Sequence, residues 1–338
     1  MATLTPPKPQ TAARPRGRVL TQEQLDAFHR DGYLIVPGVF SAGEMDEALA
    51  AVDRITYGKS FAEWSAEYAA SGGKMAPVAD GISKKAAHGR AQFPSGVWAL
   101  DRLLENETYL DIFCQLLGTD EPTYLNGHLF VRAGPNDTRH PEHPWEGYHI
   151  DHDTNSFLPP WIGCGHFDYM GSGIVLHDID AGCAPMAIIP GSHHVIARHL
   201  PELVREGSFV LPGGIPDIRK IKQFAPAIPM MATRGSAAFS SSYLVHAAVP
   251  FKDKRQQRSL WTLSLGRDAA QAFTRFAVPY HYGERDAFIP YWTKTTPRVR
   301  SLFGWPPPGH PYYTPQTVDM LELRFPGMDL SPYRSWQA

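Results

Sequence analysis

From Gly118 onward the chain is a series of short aromatic and β-branched runs cut by Gly, Pro and Asp turns, and no other feature restricts its fold as strongly. The runs are YLNGHLFVR, GYHID, GSGIVLHDI, PMAIIPG, AIPMMA, SAAFSSSYLVHAAV and SLWTLSLG. Strands spaced this regularly point to an antiparallel sandwich or barrel such as a jelly roll. One helix, around Ala197 to Arg205, interrupts the series.

The stretch before Gly118 has a different period. Thr21 with Gln24 forms a T-x-x-Q capping box, Leu25 and Phe28 supply an apolar face, and Gly32 can stop that helix. The strand-like YLIVPGVF follows. Ser41 with Glu44 opens a second helix, in which Met45, Leu49, Val52 and Ile55 recur at helical spacing. Residues 57–95 are mixed and resist assignment, whereas Leu103 to Leu117 read as a helix ending at Gly118. The expected class is therefore mainly β with flanking helices (α+β). It is a single domain over residues 20–338, with a helical part at 20–118, a jelly-roll core at about 119–270 and a covering segment at 271–338. That last segment is rich in Tyr, Trp and Pro and reads as packed, irregular structure. Residues 1–19, rich in Pro, Ala and basic residues with no apolar core, read as a disordered tail rather than a signal peptide.

Composition narrows the function classes. The chain has 338 residues, 43% of them hydrophobic, and a net charge of −2. This balance argues against nucleic-acid or anionic-membrane partners, whose binders carry a basic surplus. No stretch approaches the 18 unbroken apolar residues of a membrane span. The three cysteines, Cys114, Cys164 and Cys183, contain no CxxC pair and suit reduced thiols in a cytoplasmic protein.

YHIDHDTNSF, residues 148–157, packs His149, Asp151, His152 and Asp153 into five positions. In a strand, residues i and i+2 share a face, so His149 and Asp151 present an imidazole and a carboxylate side by side. His152 points the other way, and Asp153 lies past the strand end. A polar strand end with capping aspartates is the plainer reading of this stretch taken alone. His246, inside an otherwise apolar strand, offers a third ligand, although a lone histidine there also serves as a satisfied core residue. Two histidines and one carboxylate make the facial triad of non-haem Fe(II) oxygenases, which leaves positions open for co-substrate and O2. Arg258, which opens the next strand, could clamp the distant carboxylate of a dicarboxylic co-substrate.

Four segments make the chain resemble the phytanoyl-CoA dioxygenase family of Fe(II)/2-oxoglutarate-dependent oxygenases. They are LTQEQLDAFHRDGYLIVPGVFSAGEMDEAL, YHIDHD, AGCAPMAIIPGSHH and RGSAAFSSSYLVHAAVPFKDKRQQRSL, spanning roughly residues 20 to 267 in the family's order. The resemblance implies a double-stranded β-helix (jelly-roll, cupin-like) core, with His149, Asp151 and His246 as Fe(II) ligands. It also implies Arg258 at the far carboxylate of 2-oxoglutarate and Arg132 at the co-substrate. Asn126 shares Arg132's strand face, and Thr262 shares that of Arg258. Ile150 replaces a common glutamine, Ala248 a small hydroxyl residue, and Cys183–Ala184 the usual Asn-Gly turn. His193 and His194 fall on a turn of the family pattern and read as structural. Tyr148, Asp153, Asn155 and Trp261 border the motifs without an assigned role.

The implied reaction hydroxylates a small-molecule metabolite, or desaturates or cyclises it, while 2-oxoglutarate is decarboxylated to succinate with O2 as oxidant. Asp151 favours these outcomes over halogenation, because related halogenases have Ala or Gly there. Two other classes remain: a jelly-roll metalloenzyme that needs no 2-oxoglutarate, and a non-catalytic binding module of the same fold. The oligomeric state is not legible.

Overall fold

The computed structural model describes residues 19–75, 90–137, 148–151, 169–205, 224–267 and 282–334. The expected tail lies outside these residues except for Val19. Its amide, with that of Leu20, donates to Gln115 Oε1 at 2.9 Å, so the packed body begins there.

Helices α1 (Gln22–Asp31) and α2 (Ala42–Tyr57) start at the two capping boxes and end on left-handed glycines, Gly32 and Gly58. A third box, Ser60 with Glu63, starts α3 (Phe61–Ala70) inside the stretch that resisted assignment. After α4 (Trp98–Asp101), the helix expected over Leu103–Leu117 is divided. Arg102–Glu105 form a 3-10 turn, and Asn106 then caps α5 (Glu107–Leu117) by accepting from the Tyr109 amide at 3.0 Å. A short amide side chain bonds the backbone locally and so starts a new helix rather than continuing one.

Nine strands follow chain order among the described residues: β1 (Tyr33–Val36), β2 (Arg90–Gln92), β3 (Thr123–Ala133), β4 (Tyr169–Val175), β5 (Met186–Ile188), β6 (Ile228–Met230), β7 (Ala237–Ser241), β8 (His246–Ala248) and β9 (Gln257–Gly266). They form a major sheet in the order β1-β7-β4-β9-β3-β2 and a minor sheet in the order β6-β5-β8. Every pairing is antiparallel. The architecture is the expected jelly-roll type with flanking helices, although the described strands do not join into a closed barrel. SAAFSSSYLVHAAV is not one strand but two. The chain turns at Ser242–Val245, which sends β7 to the major sheet and β8 to the minor one.

The two faces of the major sheet differ. Leu129, Met170, Ile174, Phe239, Trp261 and Leu263 pack into the main core against α1, α2 and α5. Trp261 is fully buried there, which makes it a structural residue. The opposite face looks toward the minor sheet, since Ala238, Tyr33 and Ile35 cluster with Ile188, Met230 and Met186. The C-terminal segment is helical rather than irregular: α7 (Tyr282–Lys294), α8 (Pro297–Ser301) and α9 (Pro315–Arg324) follow α6 (Ser192–Arg205) in chain order. Phe288 and Tyr291 of α7 join the main core, so this segment covers the outer face of the major sheet. No described helix is long and apolar enough to cross a membrane.

Candidate metal centre

His149 does not sit in a strand as long as GYHID implied. Among the described residues it forms a single antiparallel bridge with His246. The two residues exchange both backbone hydrogen bonds, each at 3.0 Å, and their rings lie 4.3 Å apart. Side chains directly across such a pair point to one face. Alternation identifies that face: Tyr148 and Ile150 bury with Ala187, Val245 and Ala247 on the far side of the minor sheet. The apolar residue at the centre of H-x-D is therefore a core residue, and His149, Asp151 and His246 face the space between the sheets.

There the three side chains converge. Asp151 Oδ1 lies 3.7 Å from His149 Nε2 and 3.6 Å from His246 Nε2. All three ligand atoms fall within 4.8 Å of one another, so one ion can touch them all. The tautomer of His246 is set locally, because its Nδ1 donates to the Leu244 carbonyl at 2.9 Å. That bond leaves the Nε2 lone pair aimed at the cluster, the arrangement a metal-bound imidazole needs. His152 and Asp153 lie outside the described residues, as do Asn155 and Cys164.

The arginines stand at one end of the major sheet. Arg132 and Arg258 are register partners across β3 and β9, on the inner face. Each reaches across to the minor-sheet side: Arg258 Nη1 donates to the Ala184 carbonyl at 2.7 Å, and Arg132 Nη1 to the Val249 carbonyl at 2.6 Å. Arg258 is buried, at 5% exposure. Arg132 is also bonded to Asp137 and lies over the Phe251 ring, so the structure makes it a tie between β3 and the exit of β8. Ala184 has a φ of +45°, the left-handed turn that an Asn-Gly pair would adopt more cheaply. His177 also supports this end. Its Nε2 accepts from the Ser259 amide at 2.8 Å, and burial, helped by the nearby Arg258 charge, holds its pKa below the ordinary histidine value.

Strand geometry separates the remaining co-substrate candidates from the arginines. Thr262 lies four residues from Arg258 along β9, and Asn126 six from Arg132 along β3, or ~13 and ~20 Å at the usual rise. The Thr262 hydroxyl moreover donates to the His128 carbonyl at 2.8 Å, so its proton is committed. Both residues belong instead to two rows that cross the inner face. One row is Tyr33, Ser240, Gly171, Ser264 and Asn126; the other contains Ala238, Gly173, Thr262, His128 and Gln92. Sequence reading missed these rows because register is set by pairing, not by local pattern.

His193 and His194 are structural, as expected. They start α6, and both ring Nε2 atoms donate to the His29 carbonyl at the end of α1, at 3.0 and 2.8 Å.

An antiparallel two-sheet fold with two histidines and one carboxylate facing the space between the sheets defines a jelly-roll metalloenzyme of the facial-triad class. Among solved structures the chain resembles apo EctD from S. alaskensis, at 18% identity and a TM-score of 0.52, with 78% of this chain and 83% of that one covered. The same protein with bound Fe gives 18% identity, the same coverage and a TM-score of 0.50. At such identity the likeness bears on the fold. No curated protein matches the chain in sequence. The sequence matches the phytanoyl-CoA dioxygenase (PhyH) family over residues 28–257, and the chain belongs to that family. It is accordingly a non-haem iron oxygenase that depends on Fe(II), 2-oxoglutarate and O2.

Proposed function

We propose that the protein hydroxylates a small-molecule metabolite, with His149, Asp151 and His246 as the iron ligands and Arg258 as the clamp for 2-oxoglutarate. The observation that carries this reading is the convergence of the two Nε2 atoms and Asp151 Oδ1, together with the His246 tautomer fixed by Leu244. Two neutral imidazoles and one carboxylate suit Fe(II) and lower its net charge without filling its coordination sphere. The chemistry that the ion supplies when bound is O2 activation coupled to decarboxylation of 2-oxoglutarate to succinate, with one oxygen atom inserted into a substrate C–H bond.

The chain's own residues supply order. Asp151 occupies the position that a halide would need, which supports hydroxylation, desaturation or ring closure over halogenation. The side chains of His149 and Asp151 keep about a third of their surface exposed (31% and 35%), so small molecules can approach the site. Arg258 is oriented by the Ala184 carbonyl, and a planar fork fixed in this way can grip a carboxylate bidentately.

Anaerobic addition of Fe(II) and 2-oxoglutarate should give a weak visible charge-transfer band, absent in His149→Ala. No band, together with no 2-oxoglutarate binding by calorimetry, would overturn the proposal.

A further inference from the structure

The inner face of the major sheet has a polar centre that the oxygenase reading does not use. Asn126 is 95% buried, at 5% exposure, and among the described residues its Nδ2 has no hydrogen-bond partner. Gln92 lies diagonally across β2–β3 on the same face, and its buried Oε1 also lacks a partner among the described residues. A buried amide without a partner costs about 1–3 kcal/mol, so an unmatched donor and acceptor on one face can each gain from a polar group brought between them.

The floor beside them is open. Gly171 and Gly173 stand in the middle of the six-stranded sheet with their missing side chains toward the minor sheet. A Cβ at Gly171 would meet only the hydroxyls of Ser264 and Ser240, at 3.7 and 3.8 Å. Both glycines are partly accessible, whereas Met170, Ser172 and Ile174, which face the other way, are buried. Apolar clusters cover the face on either side, at Ala238 with Ile188 and at Val175 with Leu260, whose Cδ2 would lie 3.6 Å from a Cβ at Gly173. The metal cluster lies toward the same place. Ile188 packs with Ala238; one strand further across, the minor sheet presents His246 and the major sheet Gly173.

We propose that this patch binds the primary substrate, and that the part it recognises is a neutral, hydroxyl-bearing ring such as a sugar or cyclitol. The proposal rests on the oxygenase reading above. The two rows contain amides, hydroxyls and one histidine but no carboxylate, lysine or arginine, so among these residues a buried charged group would meet no counter-charge. Two glycines two residues apart leave a shallow floor ~7 Å long, on which a ring can lie against backbone while its hydroxyls reach Asn126, Gln92, Ser240 and Ser264.

The test uses protein loaded with Zn(II) and 2-oxoglutarate, which does not turn over, and three isosteric probes: methyl glucoside, glucuronate and glucosamine. Saturation-transfer NMR should show contact with the glucoside well above that with either charged probe. The signal should vanish in Gly171→Val and weaken in Asn126→Ala, while both variants bind 2-oxoglutarate by calorimetry as the wild type does. Should Gly171→Val not fold, Asn126→Ala decides alone. No transfer to the glucoside, equal transfer to a charged probe, or a signal indifferent to the substitutions overturns the proposal. So does a tenfold loss of 2-oxoglutarate affinity in Asn126→Ala (about 1.4 kcal/mol), which would return Asn126 to the co-substrate. If the wild type binds no 2-oxoglutarate, the oxygenase reading itself fails. If it binds 2-oxoglutarate normally and the glucoside gives no signal, only the polar patch is refuted.

Discussion

Gly32→Ala tests the junction that docks the first helix on the GSHH turn. Gly32 closes α1 at a φ of +81°, a conformation that costs an alanine about 1–2 kcal/mol. A Cβ there would fall 2.4 Å from His193 Nδ1 and 2.9 Å from its Cε1, so the ring must move. The ring is buried, and its Nε2 is pinned to the His29 carbonyl at 3.0 Å. Displacing it loses that hydrogen bond, about 1 kcal/mol, and repacks a tight site, about 1 kcal/mol or more. The expected cost is therefore about 4 kcal/mol, read as a lower urea midpoint with an unchanged slope. A double-mutant cycle separates the parts. In a His193→Ala background the clash is gone, and Gly32→Ala should cost only the backbone part, about 1–2 kcal/mol. A coupling energy below about 0.5 kcal/mol would refute the seating of His193 on Gly32.

Other perturbations reach other parts of the molecule. Arg258→Lys loses the planar fork and the Ala184 bond, and should weaken 2-oxoglutarate by about 2 kcal/mol in calorimetry with Mn(II) under anaerobic conditions, leaving metal affinity unchanged. Trp261→Ala empties a fully buried site between Phe93 and the helices and should cost about 3–5 kcal/mol in urea unfolding. Burial pushes the Asp101 carboxyl up to about 6, against the pull of the Ser95 and Gly96 donors. The folded state then holds an extra proton between pH ~4 and ~6, so stability falls as pH rises through that window, by up to ~3 kcal/mol. The difference between wild type and Asp101→Asn should carry that slope; a flat or rising difference would count against it. Ala184→Gly relieves the left-handed turn and should raise the thermal midpoint slightly, worth ~1 kcal/mol, with Arg258 still in place.

Much of this molecule was written locally. The capping boxes at Thr21 and Ser41 fixed two helix starts, because a side chain three residues from its partner needs no tertiary help to satisfy the free amides. The same signal at Ser60 was present and overlooked, although Phe61, Trp64 and Tyr68 recur after it at helical spacing. His149, Asp151 and His246 were legible as a set, two by strand alternation and the third through the resemblance. Alternation also explains Ile150, whose burial on the opposite face follows from its place between two inward residues.

Tertiary structure decided everything that depends on which strand lies beside which. Nothing in SAAFSSSYLVHAAV announces that four residues turn and carry His246 into a second sheet. The pairing of Arg132 with Arg258 and the alignment of Asn126 with Ser264, Gly171 and Ser240 are register facts, fixed by backbone hydrogen bonds between segments up to about 140 residues apart. That register spaces Asn126 and Thr262 along the strands from Arg132 and Arg258, and Arg132 pairs with Asp137. A sequence states which side chains a strand offers to each face, but only the folded sheet states which neighbours share that face.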